Sequence, residues 1–533
     1  MNKKLTIIIL VIIILAGGFF RLWGIDFGLP NQYHPDEAFF INPAFNVIAM
    51  QSPDWYGAPG TTVIYANSAI FWLTGNIIDS QASTLQLFQE NPYYFLLFAR
   101  IFYALVGTMS ILLVYLLAQN LFKKRSLSLL SAFTFCLSAL HIQHSHYIRP
   151  DALTIFFILL AALFASYIYR TGKLKHYILA GLFLVLAIIT KYPALFAGVF
   201  ILIGHYLYIK SSGKKFFSKN IFIAGLTSLI FLLAFFPYIL TSPIEILKDV
   251  VWEARSEHAG ADGLGFLGNF EFYITGSLWY IGTLIFVSSI IGMIYAFFKK
   301  KKEILFLGSF IIIFIIFISS LALHWDRWIL PIVPFGCIFA SLGLLAFFKY
   351  FKNHFQDKLK LNNKFAYSVL IIICLVIFFY PALLRSFRQS YAFYYDETRD
   401  VSASWIVNNL DQDKKAVIED YGPVLTYHFE EIFRPWTIAL EFPDYWQKEK
   451  QADYAIISSW IYDRILVDSN SSQFAKDSYH NLFETRKLIY EVAPKNPREE
   501  TIMKNDFELI FSKDIFDFRS EAGPTLKIYE LLK

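Results

Sequence analysis

Charge is scarce in this chain. Charged residues make up 17% of its 533 positions, and residues 24–93 contain no lysine or arginine at all. Soluble domains usually carry about a quarter charged residues, so a wholly soluble protein is excluded. Cysteine is scarcer still. Cys136, Cys337 and Cys374 each lie inside an apolar block without a CxxC spacing, which argues against a disulfide framework and against a zinc–thiolate site. The net charge of +5 is small for this length and gives no reason to expect nucleic acid. No internal repeat or low-complexity tract interrupts the sequence.

What fills the space is apolar: 56% of residues are hydrophobic and 19% aromatic, gathered into long uncharged runs. Runs of about 18 or more such residues are membrane spans. Helices are expected at about 5–23, 94–121, 126–142, 150–169, 176–190, 192–209, 220–241, 274–298, 303–323, 328–348 and 366–384, with a further apolar stretch at 61–78 lying in the interface or re-entering the membrane. The first run is read as a retained helix rather than a signal peptide, because it is long and "AGGFFRLWG" is a poor cleavage site. Every second loop is basic: Lys3 and Lys4; Lys123, Lys124 and Arg125; Arg170, Lys173 and Lys175; Lys210, Lys214, Lys215 and Lys219; Lys299 to Lys302; then Lys349, Lys352, Lys358, Lys360 and Lys364. The positive-inside rule places these loops in the cytoplasm. About eleven spans, within a range of 10–13, then send the C-terminus outside. From residue 385 the composition becomes mixed. "KKAVIED", "ADYAIISSWIYD" and a final "TLKIYELL" predict an α/β or α+β soluble domain over 385–533, beyond a membrane domain over 1–384, with an amphipathic helix at 396–409.

The outer loops are acidic. The first, 24–93, holds Asp26, Asp36, Glu37, Asp54, Asp79 and Glu90, with Asp36 and Glu37 adjacent in "YHPDEA". The second, "HIQHSHYIRPDA", holds His141, His144, His146, Arg149 and Asp151. The fourth, about 242–273, holds Glu245, Asp249, Glu253, Arg255, Glu257, His258 and Asp262; the fifth is "HWDRW". Ionisable groups at membrane depth default to function. Each also has a plainer reading: a solvated acid pair, interface histidines, arginines snorkelling to the headgroups. Lys191 is the exception in kind, because it is a positive charge in an outer turn where the positive-inside rule disfavours one.

The ordered set "YHPDEA", then "ARIFYALVG…HIQHSHYIRPDALTIFF", "GLFLVLAIITKYPALF" and "DRWILPIVPF" resembles the GT-C superfamily of multispanning glycosyltransferases. It is most similar to the dolichyl-phosphate-mannose-protein mannosyltransferase-like branch, which includes the lipid A aminoarabinose transferase relatives (glycosyltransferase family 39/83-type), over roughly residues 1–350. The resemblance implies a GT-C α-helical polytopic membrane protein that takes one sugar from a polyprenyl-phosphate carrier and attaches it to a protein, lipid or glycan acceptor at the extracytoplasmic face. It implies Asp36 and Glu37 as the acidic motif and Asp151 as the second-loop acid. Arg327, Lys191, Arg149 and Arg100 become candidates for the donor phosphate; His34, Tyr33, His146 and Asp326 become substrate-positioning candidates. No cofactor is certain. A divalent metal stays open, with Glu37, Asp151 and His146 as its candidate ligands. The Glu-Lys-Pro element of the aminoarabinose transferases is missing, since "WYGAPGTTVIY" stands in its place, which argues against aminoarabinose as the sugar.

The chemistry fits these residue types. A carboxylate makes an acceptor hydroxyl nucleophilic as general base, carboxylates stabilise an oxocarbenium-like state, and arginine and lysine take up a phosphate leaving group. Asp36 is expected as the base of an inverting single displacement. Two other readings weigh less. An oligosaccharyltransferase using a lipid pyrophosphate would carry a spaced DxD and a WWD motif, and 385–533 has no WWD. A transporter or flippase would carry charges near midplane in broken helices, whereas these acids cluster at one face. The isoleucine, phenylalanine and lysine richness points to an AT-rich prokaryotic genome and so to a plasma membrane.

Overall fold

The computed structural model describes residues 2–531 apart from 55–59, 214–217, 254–262, 300, 356–363, 426–427, 442–451, 468–470, 512–516 and 518. Arg255, Glu257, His258, Asp262, Lys214, Lys215, Lys300, Lys358, Lys360 and the start of "WYGAPGTTVIY" therefore lie outside the described residues. Helices occupy each of the expected apolar runs, with changes that follow from local chemistry. Among the described residues, seven helical stretches are long and apolar enough to cross a membrane, and four shorter apolar helices accompany them: Ala38–Ile48, Leu174–Thr190, Lys219–Phe235 and Ile304–Ser319. The run expected at 126–142 is two helices, Arg125–Cys136 and Ala139–His144, parted at Leu137 and Ser138. Pro193 stops the continuation of Leu174–Thr190, and the chain re-enters through a 3₁₀ turn, Tyr192–Ala197. The stretch at 61–78 is the helix Thr61–Ile78.

Lipid supplies no hydrophobic drive between helices, so close packing must hold them together. Thr283–Phe298 lies against Val333–Phe355 at two glycines. A Cβ on Gly292 would stand 1.9 Å from the Phe339 carbonyl oxygen, and one on Gly343 would stand 2.0 Å from that of Ser288. Ser288 Oγ donates across the same seam to the Ala340 carbonyl at 2.8 Å.

The last membrane helix, Lys364–Tyr394, runs ten residues beyond the expected end at 384 and carries the chain into the C-terminal domain. That domain contains a five-stranded mixed sheet: β1 (Lys415–Ile418), β2 (Glu431–Phe433), β3 (Tyr454–Ser458), β4 (Lys487–Val492) and β5 (Leu526–Glu530), in the order β2-β1-β3-β5-β4. β1 is parallel to β2 and β3; β5 is antiparallel to β3 and β4. The period of two divides the side chains between faces. Val417, Ala455 and Ile457 pack with Ile461, Ile465 and Tyr479 of helices Ser459–Val467 and Gln473–Thr485. Ala416, Ile418 and Ile456 pack with Ile406 of helix Thr398–Asn409. The outer domain is α/β, with helices on both faces.

One buried ion pair joins the two parts. Arg385, on the last helix, meets Asp506 at 2.5 Å and donates to the carbonyls of Ile502 at 3.0 Å and Lys504 at 2.6 Å. Asp506 also accepts the Leu284 amide at 2.7 Å. Breaking a buried pair from one side costs about 3–5 kcal/mol. Arg385→Met is therefore expected to loosen the outer domain, seen as faster tryptic cleavage after residue 394 and a lower melting temperature. Unchanged proteolysis would remove this pair from the joint.

Candidate active site

The site is built where four loops meet at one end of the helix bundle. Pro35–Glu37 form one 3₁₀ turn before helix Ala38–Ile48. The two adjacent acids point in different directions. Glu37 is fully buried; its carboxylate forks with Arg100, Oε1 to Nε at 3.2 Å and Oε2 to Nη2 at 2.9 Å, and Oε1 accepts the Ile148 amide at 3.0 Å. Arg100 gives its remaining described bonds to the carbonyls of Ile25 and Phe27 and lies 4.0 Å over the Phe27 ring. This pair is internal: it pins the first loop to helix Tyr93–Phe122 and to the second loop.

Asp36 faces the opposite way and is one-third exposed. Its Oδ2 meets Arg149 at 3.0 Å and Arg327 at 3.7 Å. Arg149 is the residue before Pro150, the first position of helix Pro150–Thr171, and it also donates to His34 Nε2 at 2.8 Å. Burial first, and then the positive charges of Arg149 and Arg327, hold His34 well below its usual range, so it stays a neutral acceptor. Asp151 occupies the first turn of the same helix, where a carboxylate is favoured. It is buried and meets Lys191 Nζ at 2.8 Å. Lys191 caps the C-terminal end of Leu174–Thr190, the end that favours a cation. Arg149 Nε and His144 Nδ1 lie 3.7 and 3.8 Å from Asp151 Oδ2, too far for hydrogen bonds, so those contacts are electrostatic. Arg327 opens the 3₁₀ turn Asp326–Ile332 and stacks on Trp325 at 5.4 Å; Asp326 turns its Oδ1 to the Arg327 amide at 2.6 Å.

Of the expected site residues, the structure brings Asp36, Asp151, Arg149, Arg327, Lys191 and His34 into one cluster, with Asp326 beside it. Glu37 and Arg100 sit behind that cluster and do not open onto it. His146 is enclosed, with its nitrogens 2.9 and 3.1 Å from the carbonyls of Ile142 and Trp23 and its ring stacked on Phe393. Among the described residues no group of three His, Cys, Asp or Glu side chains comes together in a way that would hold a metal ion.

The C-terminal domain reaches this cluster through residues that the sequence did not single out. Tyr33 donates its hydroxyl to Asp400, whose carboxyl burial pushes above the usual range. Arg399 donates to the Tyr33 carbonyl at 2.8 Å, lies 4.1 Å over the Tyr33 ring and pairs with Glu397. Arg464 stands 5.9 Å over the Trp325 ring and 5.6 Å over the ring of Tyr421. The only signal available was the i, i+4 spacing of Trp460 and Arg464 in "SSWIYDRIL", which puts both on one helix face.

A bundle of membrane helices gathers acids and cations at one face and is capped by an α/β domain, and solved structures share this fold. The crystal structure of ArnT from Cupriavidus metallidurans bound to undecaprenyl phosphate superimposes with a TM-score of 0.50 at 12% identity, covering 99% of this chain and 98% of that one. The apo ArnT structure gives 0.50 at 13% identity, covering 97% of each. The Saccharomyces cerevisiae protein O-mannosyltransferase Pmt1-Pmt2 complex bound to the sugar donor matches with a TM-score of 0.34 at 20% identity, over 49% of this chain and 36% of that one. In sequence, residues 62–244 match the dolichyl-phosphate-mannose-protein mannosyltransferase family. No curated protein matches the chain significantly. The family match covers residues 62–244, and the fold shared with ArnT extends over nearly the whole chain.

Proposed function

We propose that this multi-pass membrane protein transfers a monosaccharide from a polyprenyl-phosphate carrier to an acceptor hydroxyl at the extracytoplasmic face of a plasma membrane, by an inverting single displacement. The observation that carries the reading is the half-open Asp36 carboxylate held by Arg149 and Arg327 beside the buried Asp151–Lys191 pair. A lipid-phosphate sugar brings the same needs to one place. Its leaving phosphate requires cations, and its anomeric carbon requires an activated oxygen on the opposite side.

In this reading Asp36 takes the acceptor proton. Arg149, almost wholly buried between Asp36, Asp151 and His34, positions Asp36. Arg327 and Lys191 are the more accessible cations and receive the phosphate. Asp151 aims Lys191. Glu37 and Arg100 hold the loop that carries Asp36. The leaving group is already a phosphate, so no strong general acid is required. The basic loops lie in the cytoplasm and the outer domain outside.

The test uses purified protein in nanodiscs with a panel of radiolabelled polyprenyl-phosphate sugars, with and without EDTA. Consumption of one donor, with inverted configuration in the product, is expected. A folded protein that touches no monosaccharide donor would sink the proposal in favour of a pyrophosphate-linked oligosaccharide or a transporter. Loss of activity in EDTA would assign a metal.

A further inference from the structure

One face of the C-terminal domain stands against Trp325, next to Arg327, which meets Asp36 at 3.7 Å. Tyr421 has a backbone φ of +60°. A bulky side chain rarely adopts that left-handed conformation, and strain of this kind persists where the surroundings enforce it. Its ring meets Trp460 edge-on at 5.4 Å. Arg464 lies 5.6 Å over the Tyr421 ring, and Arg399 lies 5.3 Å over that of Trp460. Trp460 and Arg464 are one turn apart on helix Ser459–Val467 and share a face. Arg464 lies over Trp325, the same ring on which Arg327 stacks, so two guanidinium groups from two domains approach one indole. Among the described residues no carboxylate lies within ion-pair distance of Arg464. Tyr421, Trp460, Arg464 and Trp325 are all only partly buried.

We propose that Tyr421, Trp460 and Arg464 form the acceptor subsite, and that the acceptor presents a saccharide ring to it. This rests on the glycosyltransferase reading above. The donor brings its lipid tail from the bilayer side, so a group approaching Asp36 from the outer domain is the acceptor. Aromatic faces take the C–H face of a pyranose, and a planar guanidinium donates to the hydroxyl oxygens on adjacent ring carbons with fixed geometry. A serine or threonine side chain in a peptide offers no flat C–H face to stack on these rings. Tyr421, Trp460 and Arg464 are positioning residues, because none is placed to act on the reacting atoms.

The experiment uses the full-length protein in nanodiscs. Saturation-transfer difference NMR with a panel of methyl glycosides and a Ser/Thr hexapeptide reads binding without turnover. At least one glycoside is expected to give signals that vanish in Trp460→Ala, while the peptide gives none. Where the donor panel has named a donor, transfer to that glycoside is measured with Arg464→Lys and Tyr421→Phe, which preserve size. The KM for the glycoside is expected to rise about tenfold or more, with the donor KM within about twofold of wild type. Binding of the peptide but of no glycoside would overturn the proposal, as would variants that raise both KM values together. Failure of the donor panel with glycoside binding intact would fault the glycosyltransferase reading and leave the saccharide site standing.

Discussion

Purified Asp36→Asn protein is expected to turn over its lipid-linked donor about a thousandfold more slowly than wild type, within the 10²–10⁴-fold range typical of a removed general base. The substitution keeps the shape and removes the basic oxygen. It also removes the negative charge that meets Arg149 at 3.0 Å and Arg327 at 3.7 Å. Those guanidiniums then have one anion fewer to share, so donor affinity should hold or tighten. The signature is therefore a fall in kcat without a rise in donor KM. Single-turnover kinetics with a radiolabelled donor separates this from slow product release. Full transfer activity in the asparagine variant would end the assignment of Asp36. A loss confined to KM would make Asp36 a binding residue.

The second large effect falls on stability. Glu37→Ala and Arg100→Met are each expected to lose about 3–5 kcal/mol, because each strands a fully buried charge. Native domains have only about 5–15 kcal/mol in hand, so most of either single variant should be lost during extraction, seen as aggregation on size-exclusion chromatography. Replacing both partners with apolar residues of similar volume is often near neutral. The double variant Glu37→Leu/Arg100→Leu should recover folded protein. Its activity then reports what the pair does for Asp36. Folded yet slow would mean that the pair aims the neighbouring carboxylate. Single variants that melt like wild type would show that the pair carries little.

The helices were legible because their signal is local. Uncharged runs and alternating basic loops locate them without knowledge of any contact. The break at Leu137 and Ser138 and the ten extra residues to Tyr394 were not legible, because tertiary partners set them: Ser386 and Ser390 donate to the carbonyls of Leu137 and Phe20. Within the site, the cluster of Asp36, Asp151, Arg327 and Lys191 followed from a shared membrane face. Which acid points where did not. Asp36 and Glu37 are adjacent and chemically alike, and only the position of Arg100 decides that Glu37 turns inward. The resemblance implies Arg100 as a candidate for the donor phosphate, while its guanidinium belongs to Glu37. Trp460 and Arg464 stood further out of reach, since more than a hundred residues separate them from Trp325 and no short pattern spans that gap.

The helix Lys364–Tyr394 crosses from one part of the protein to the other without a break, and Arg385 fixes it to Asp506 on the far side. A chimera cut between residues 384 and 385 would part the outer domain from half of its own anchor. A graft beginning at Lys364 would bring the whole joint with it. The unit to exchange between such proteins would thus be the C-terminal domain together with its last membrane helix, and with the proposed acceptor subsite, acceptor choice would travel as that single cassette.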